Sequence, residues 1–204
     1  DLFLVDGALS RKSLASPSVT QCMILTTGAA LSANLNSLVK KTAFTVQMIN
    51  LPAFEDSLAE NLLSIESGIW AIDDNNNIHD LQIQSTLLLN KEKDKLFAKG
   101  NRLFVSGIIT DNLLELMRIQ PTISESVIIV KDFTKIFVSP EKYSAFAAKG
   151  GKIMVLLKTK LIAVCINPVS PEGYILDSDK LKVELQKKIN IPVYDIKNMA
   201  IENI

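Results

Sequence analysis

With 204 residues, 48% of them hydrophobic, and a mean hydropathy of +0.23, the chain can bury a substantial core and is too apolar to be disordered. Its 22 Lys and Arg balance 22 Asp and Glu, which leaves no broad basic field for nucleic acid or an anionic membrane surface. No apolar run approaches the roughly 18–20 residues of a membrane span, and no signal-peptide pattern opens the chain. Cys22 and Cys165 are too few for a disulfide scaffold, and both lie in apolar runs. They are expected as reduced, buried thiols, which places the protein in a reducing cytoplasm. The neutral total hides a split. Residues 1–90 carry 4 basic and 9 acidic side chains, a balance of −5, and residues 91–204 carry 18 and 13, a balance of +5. Such asymmetry marks either two subdomains with different partners or ordinary surface drift.

The chain opens without Met on an apolar run, Leu2-Phe3-Leu4-Val5, which reads as a strand closed by Asp6-Gly7. Domains rarely begin on a buried parallel strand, so an N-terminal segment is expected to precede it. Cys22–Thr27 is the next strand. A helix over 32–50 follows, with Leu35, Leu38, Val39, Thr42, Ala43, Val46 and Ile49 forming one stripe at the 3.6 period. Asn50-Leu51-Pro52 ends it, since proline disfavours helical geometry in the residue before it. A short helix is expected around Leu58–Ile65. Strands at 68–72 and 78–83 flank Asp73-Asp74-Asn75-Asn76-Asn77 and read as a hairpin, because Asx-rich turns tolerate left-handed backbone.

Residues 91–99 form a charged helix or loop, and Leu103–Ile109 the next strand. Asp111 is placed to cap a helix through Ile119, with Pro121 beyond its end. Val127–Val130 and Lys135–Val138 are strands, and Ser139-Pro140-Glu141 starts a helix with proline in its first turn. Gly150-Gly151 stops that helix. Strands at 153–157 and 161–166 surround a polar bend, a helix runs from Asp177 or Ser178 to about Ile189, and 192–196 is a last strand. Continuous Val, Ile and Leu runs are expected where both faces of a sheet are covered. The pattern predicts an α/β fold with a largely parallel or mixed sheet, helices on both faces, a Rossmann-like or P-loop-like remnant and a β-hairpin insertion. The first βα units are expected over 1–66 and the hairpin with the remaining units over 67–204.

Three segments could carry chemistry, because open α/β sheets bind ligands outside the carboxyl ends of their strands. Asp6-Gly7 after an apolar strand is Walker-B-like. Its carboxylate could hold Mg²⁺ while Ser10, Arg11 and Lys12 meet phosphate; the plainer alternative is a strand followed by a turn. Thr26-Thr27-Gly28 leads into a helix whose free N–H groups could receive an anion, or simply makes a tight crossover. Asn167 and Ser170, with Tyr174, lie in a stiff loop built on Pro168, Pro171 and Gly173 that either contacts a ligand or only shapes the chain. No segment fits the Walker A pattern G-x-x-x-x-G-K-S/T, so the chain has no such phosphate cradle. His79 is the sole histidine, which excludes a histidine-rich metal site. Asp73, Asp74 and Asp80 lack the spacing of a calcium-binding loop and read as a solvated turn. Trp70 reads as core or as the edge of an interface.

The segments Leu4–Ser13 with Ala15-Ser16-Pro17, Ile24–Ser32, and Asn167-Pro168 with Ser170-Pro171, Gly173-Tyr174 and Asp177 resemble the small subunit of the P-loop reactivase associated with lysine 5,6-aminomutase. The resemblance implies that the chain is the C-terminal part of a longer protein whose Walker A segment lies upstream. It implies a nucleotide-dependent accessory role in restoring an aminomutase whose adenosylcobalamin has been damaged. Asp6 would then be the Mg²⁺-associated carboxylate and residues 10–13 a switch-like segment. The partners implied are the second reactivase subunit and the aminomutase, and a homo-oligomer is compatible with this. On this reading the chain by itself binds no cofactor and has no ATPase activity. Mg²⁺ and a nucleotide belong to the full-length protein. Two other readings stand beside it: a small-molecule-binding or metabolic enzyme domain using the loops at 26–30 and 167–174, and a ligand-free structural or regulatory interaction domain.

Overall fold

The computed structural model describes residues 3–7, 12–196 and 198. The chain divides into two compact units, one built from 1–6, 17–50 and 159–204, the other from 7–16 and 51–158. The boundary expected at 66/67 therefore falls inside the second unit. The charge split does not follow the division either. The first unit carries eight basic and eight acidic side chains and the second fourteen of each. The −5/+5 asymmetry is a property of the linear sequence and not of either folded unit.

The first unit is a three-stranded parallel sheet with two principal helices. Strand β1 (Met23–Gly28) pairs with β9 (Leu161–Asn167), and β10 (Val193–Tyr194) pairs with the other side of β9. Helix α1 (Leu35–Ile49) buries Leu38, Val39, Thr42, Val46 and Ile49, the stripe that the 3.6 period predicts. Asn34 caps it by accepting from Ser37 N at 2.9 Å. Helix α6 (Ser178–Gln186) packs on α1, β9 and β10, and Asp177 caps it through Lys180 N. The register places Val164 between Leu25 and Val193. The opposite face leaves Ile24 and Tyr194 exposed.

One expectation fails here. Phe3–Gly7 form no strand, and Phe3 and Leu4 are 85% and 88% exposed. An apolar run makes a parallel strand only beside a partner strand and under cover on both faces, and these residues have neither. Cys22 is also exposed, not buried, because β1 begins one residue later. Cys165 is buried as expected, and burial pushes its thiol pKa up.

The second unit holds a five-stranded mixed sheet. Strands β2 (Ile69–Ile72) and β3 (Ile78–Ile83) form the expected hairpin, and β2 runs antiparallel to β4 (Arg102–Val105). β6 (Val127–Val130) and β8 (Lys152–Val155) continue parallel to β4, giving the order β3-β2-β4-β6-β8. Phe104 and Ile129 lie side by side in register and join Phe54, Leu62 and Ile72 in one core cluster, with Trp70 packed against it. Leu62 comes from the short helix α2 (Ala59–Ser64). The alternate residues Leu103, Val105, Ile128, Val130, Ile153 and Val155 are equally buried, so both faces are covered. Helix α3 (Leu89–Leu96) packs on β3 and on α4 (Asp111–Arg118), and α4 packs on α5 (Pro140–Ala148).

Leu103–Ile109, one strand by sequence, is two. Ser106 turns out of the sheet, its N–H and hydroxyl both donating to Gly68 O at 3.2 and 3.0 Å. β5 (Ile109–Thr110) then pairs with β7 (Ile136–Phe137) in a separate two-stranded ribbon. Asp111 is not a cap but the first residue of α4. Its carboxylate accepts from Ser139 N at 2.7 Å and so ties α4 to the residue that caps α5. Glu115 adds a second tie, to Lys142 of α5 at 2.8 Å, and also pairs within α4 with Arg118 at 2.7 Å.

The hairpin turn is fixed by Asp73, whose carboxylate meets His79 Nε2 at 2.8 Å, Asn77 Nδ2 at 3.0 Å and the N–H groups of Asn75 and Asn77. Asn76 takes a left-handed φ of 64°, and Arg102 donates to Asp73 O and to Asn76 Oδ1. The His79 bond, then those of Asn77, hold the Asp73 carboxyl well below the usual carboxylate range. His79 is thus a turn clamp.

Two measurements check this packing. Phe104→Ala should cost about 3–5 kcal/mol in urea unfolding, as expected for a large side chain removed from a closed core. Lys142 and then Arg118 lower the pKa of Glu115 to about 2, and carboxyl NMR should find its titration there. A pKa depressed in the folded state adds stability above the unfolded value that is lost as pH falls toward 2. Lys142→Met should return the titration toward 4.5.

Candidate functional site

The carboxyl ends of β1 and β9 bring together two of the three predicted segments. Thr26, Thr27 and Gly28 end β1, and Gly28 lies in register with Asn167 at the end of β9. The approach is close enough that a Cβ on Gly28 would sit 2.0 Å from Asn167 O, so glycine is required by backbone proximity and not by a special φ. Ala29 N donates to the same carbonyl at 2.9 Å, and Tyr174 Oη donates to Ala29 O at 2.6 Å. The loop 167–174 is thereby fastened across the turn that leads to α1.

Three polar side chains at this edge bond within the unit. Thr26 faces solvent, whereas Thr27 is buried with its hydroxyl 2.8 Å from that of Thr42 on α1. Asn167 Oδ1 accepts from Val169 N at 3.2 Å, and Ser170 Oγ accepts from Glu172 N at 3.1 Å. Ser170 N donates to Tyr174 O, and Gly173, at φ 90°, turns the chain between them. The edge is internally bonded, and these bonds shape the loop.

Asp6 and Gly7 are exposed and outside any strand, and a Cβ on Gly7 would meet nothing within 4 Å. Ser10 and Arg11 lie outside the described residues. Lys12 opens a short 3-10 turn over Lys12–Ala15, in the second unit. Among the described residues no group of three or more His, Cys, Asp or Glu side chains is placed to hold a metal ion.

Two carboxylates that sequence reasoning passed over occupy the positions expected of Asp6. Asp132 follows β6 and Asp195 follows β10; both are buried at the carboxyl ends of parallel strands. Asp195 receives the Ser178 hydroxyl from the start of α6 and the N–H groups of Asn198. Asp132 receives the Thr134 N–H and hydroxyl and the Ser16 hydroxyl. An apolar run followed by Asp is the signal that singled out Asp6, and it also describes Ile129-Val130-Lys131-Asp132 and Pro192-Val193-Tyr194-Asp195.

Comparison of the chain with family models, with curated proteins and with solved structures finds no match. No helix among the described residues is long and apolar enough to cross a membrane.

Gly28→Ala tests the β1–β9 approach. The added methyl must push the strand ends apart, and overpacking of this kind costs about 1–3 kcal/mol or more. The expected result is a lower urea midpoint with faster hydrogen exchange in peptides from β1 and β9. Peptides from β4 and β6 should be unchanged.

Proposed function

We propose that the chain is an accessory α/β portion of a nucleotide-dependent reactivating protein, acting with an adenosylcobalamin-dependent aminomutase and with a second reactivase subunit. The observation that supports this reading best is the meeting of two resemblance segments, 24–32 and 167–177. They lie about 140 positions apart in sequence yet are joined by the Ala29–Asn167 and Tyr174–Ala29 hydrogen bonds. Segments that pattern together in sequence thus build one strand-end edge. The chain contributes a shaped surface on this reading, and nucleotide handling belongs to the Walker A segment of the longer protein.

The metabolite-binding alternative asks these same loops to present free polar groups. Thr27, Asn167 and Ser170 are instead engaged with Thr42, Val169 and Glu172. Small-molecule sites place a few polar groups so that they converge on a cavity, whereas Thr27 Oγ1, Asn167 Oδ1 and Ser170 Oγ are bonded to α1 and to the loop's own backbone. The balance favours a protein-contacting role.

The test is direct. The purified chain is mixed with an aminomutase carrying inactivated cobalamin, with and without the second reactivase subunit, and run on size-exclusion chromatography with light scattering. A complex containing the chain is the expected result, with no heat of binding when the chain by itself is titrated with Mg-ATP. Absence of a complex with either protein would overturn the proposal.

A further inference from the structure

The Asp132 carboxylate is 3% exposed and sits just beyond the end of β6. Its Oδ1 is taken by its own neighbour, Thr134, through the N–H at 2.8 Å and through the hydroxyl. Its Oδ2 accepts from Ser16 Oγ at 2.6 Å, a bond between residues 116 positions apart. Ser16 and Thr134 are themselves 7% and 6% exposed. The 3-10 turn Lys12–Ala15, which Ser16 follows, and the 3-10 turn Phe133–Lys135, which holds Thr134, are in contact within the second unit. A buried carboxylate needs donors on both oxygens, and one left without its donor is costly. The local Thr134 bonds survive whatever the first turn does. The Ser16 bond does not.

We propose that Ser16 and Asp132 form a latch that holds the Lys12–Ser16 turn on the second unit, with a docked state and a released state. Release frees Asp132 Oδ2 at the carboxyl end of a parallel strand, the place where open α/β sheets take ligands. In the docked state the Ser16 hydroxyl occupies the carboxylate oxygen that a donor from outside would use. Because the bond is short and charge-assisted, it is stronger than a neutral one. Breaking it at Ser16 should free the turn while the sheet, whose faces are closed by apolar side chains, stays intact. This inference does not depend on the aminomutase reading.

Hydrogen exchange of the whole chain, read by mass spectrometry on a peptide covering residues 12–19, tests it. Ser16→Ala removes the donor, and Ser16→Asp sets a second carboxylate against Asp132. Both should accelerate exchange in that peptide by about tenfold or more, as local opening does, with peptides from β4, β6 and β8 as slow as in the parent protein. Unchanged exchange in the 12–19 peptide of Ser16→Ala overturns the latch. Acceleration spread equally over the second unit overturns it too, since Ser16 would then be part of the core and no separate docked element would exist.

Discussion

Neighbouring parallel strands cannot be joined by a tight turn; the chain must cross over between them. In this protein the constraint reaches its fullest extent at β1 and β9. The two strands pair from Met23 to Gly28 against Leu161 to Asn167, and nearly all of the second unit lies between them in sequence. The first unit exists only because residues on either side of that long insertion find each other. Gly28 makes the last step of the pairing possible, since its bare Cα lets the Asn167 carbonyl come close enough to bond Ala29 N. Tyr174 then fastens the following loop to the same turn. The candidate edge is a consequence of this pairing, with Thr27 anchored to α1 and Ser170 folded into its own loop.

The second unit answers the same constraint with a closed core. Its parallel strands β4, β6 and β8 are continuous apolar runs, and both of their faces are buried. The edge at β8 is covered by 52–54, where Pro52 O accepts from Val155 N and Phe54 N donates to Val155 O. The buried polar side chains described in this unit, Ser16, Thr86, Ser106, Ser126, Asp132 and Thr134, are each hydrogen-bonded. Asp132 is held by hydroxyls and an amide. Asp195 plays the matching part in the first unit at the end of β10. Each carboxylate joins a strand end to a segment that the sheet itself does not contain.

Much of the fold was legible in the sequence because local signals and tertiary demands agreed. The α1 stripe, the Asx turn between β2 and β3, the proline start and glycine stop of α5 and the Asp177 cap of α6 all fall where pattern and turn chemistry put them. The misreadings came from residues whose meaning depends on a distant partner. Phe3-Leu4-Val5 has the composition of a buried strand but none of its neighbours. Ser106 breaks an apolar run because Gly68 O lies beside it. The strand-then-Asp signal has the right chemistry, yet the carboxylates it describes best are Asp132 and Asp195, and the exposed Asp6 has no strand behind it.

The sequence by itself determined the α/β class, the order of helices and strands and the position of most turns. These follow from hydrophobic period and from the backbone preferences of Gly, Pro, Asn and Asp, all of which act over a few residues. Tertiary structure alone decided that β1 and β9 are neighbours, that the chain folds as two interleaved neutral units, and that Ser16 meets Asp132. Those outcomes rest on contacts between residues more than a hundred positions apart. No local pattern encodes such a contact, because its free energy arises only when both strands or both hydrogen-bonding groups have already been brought together.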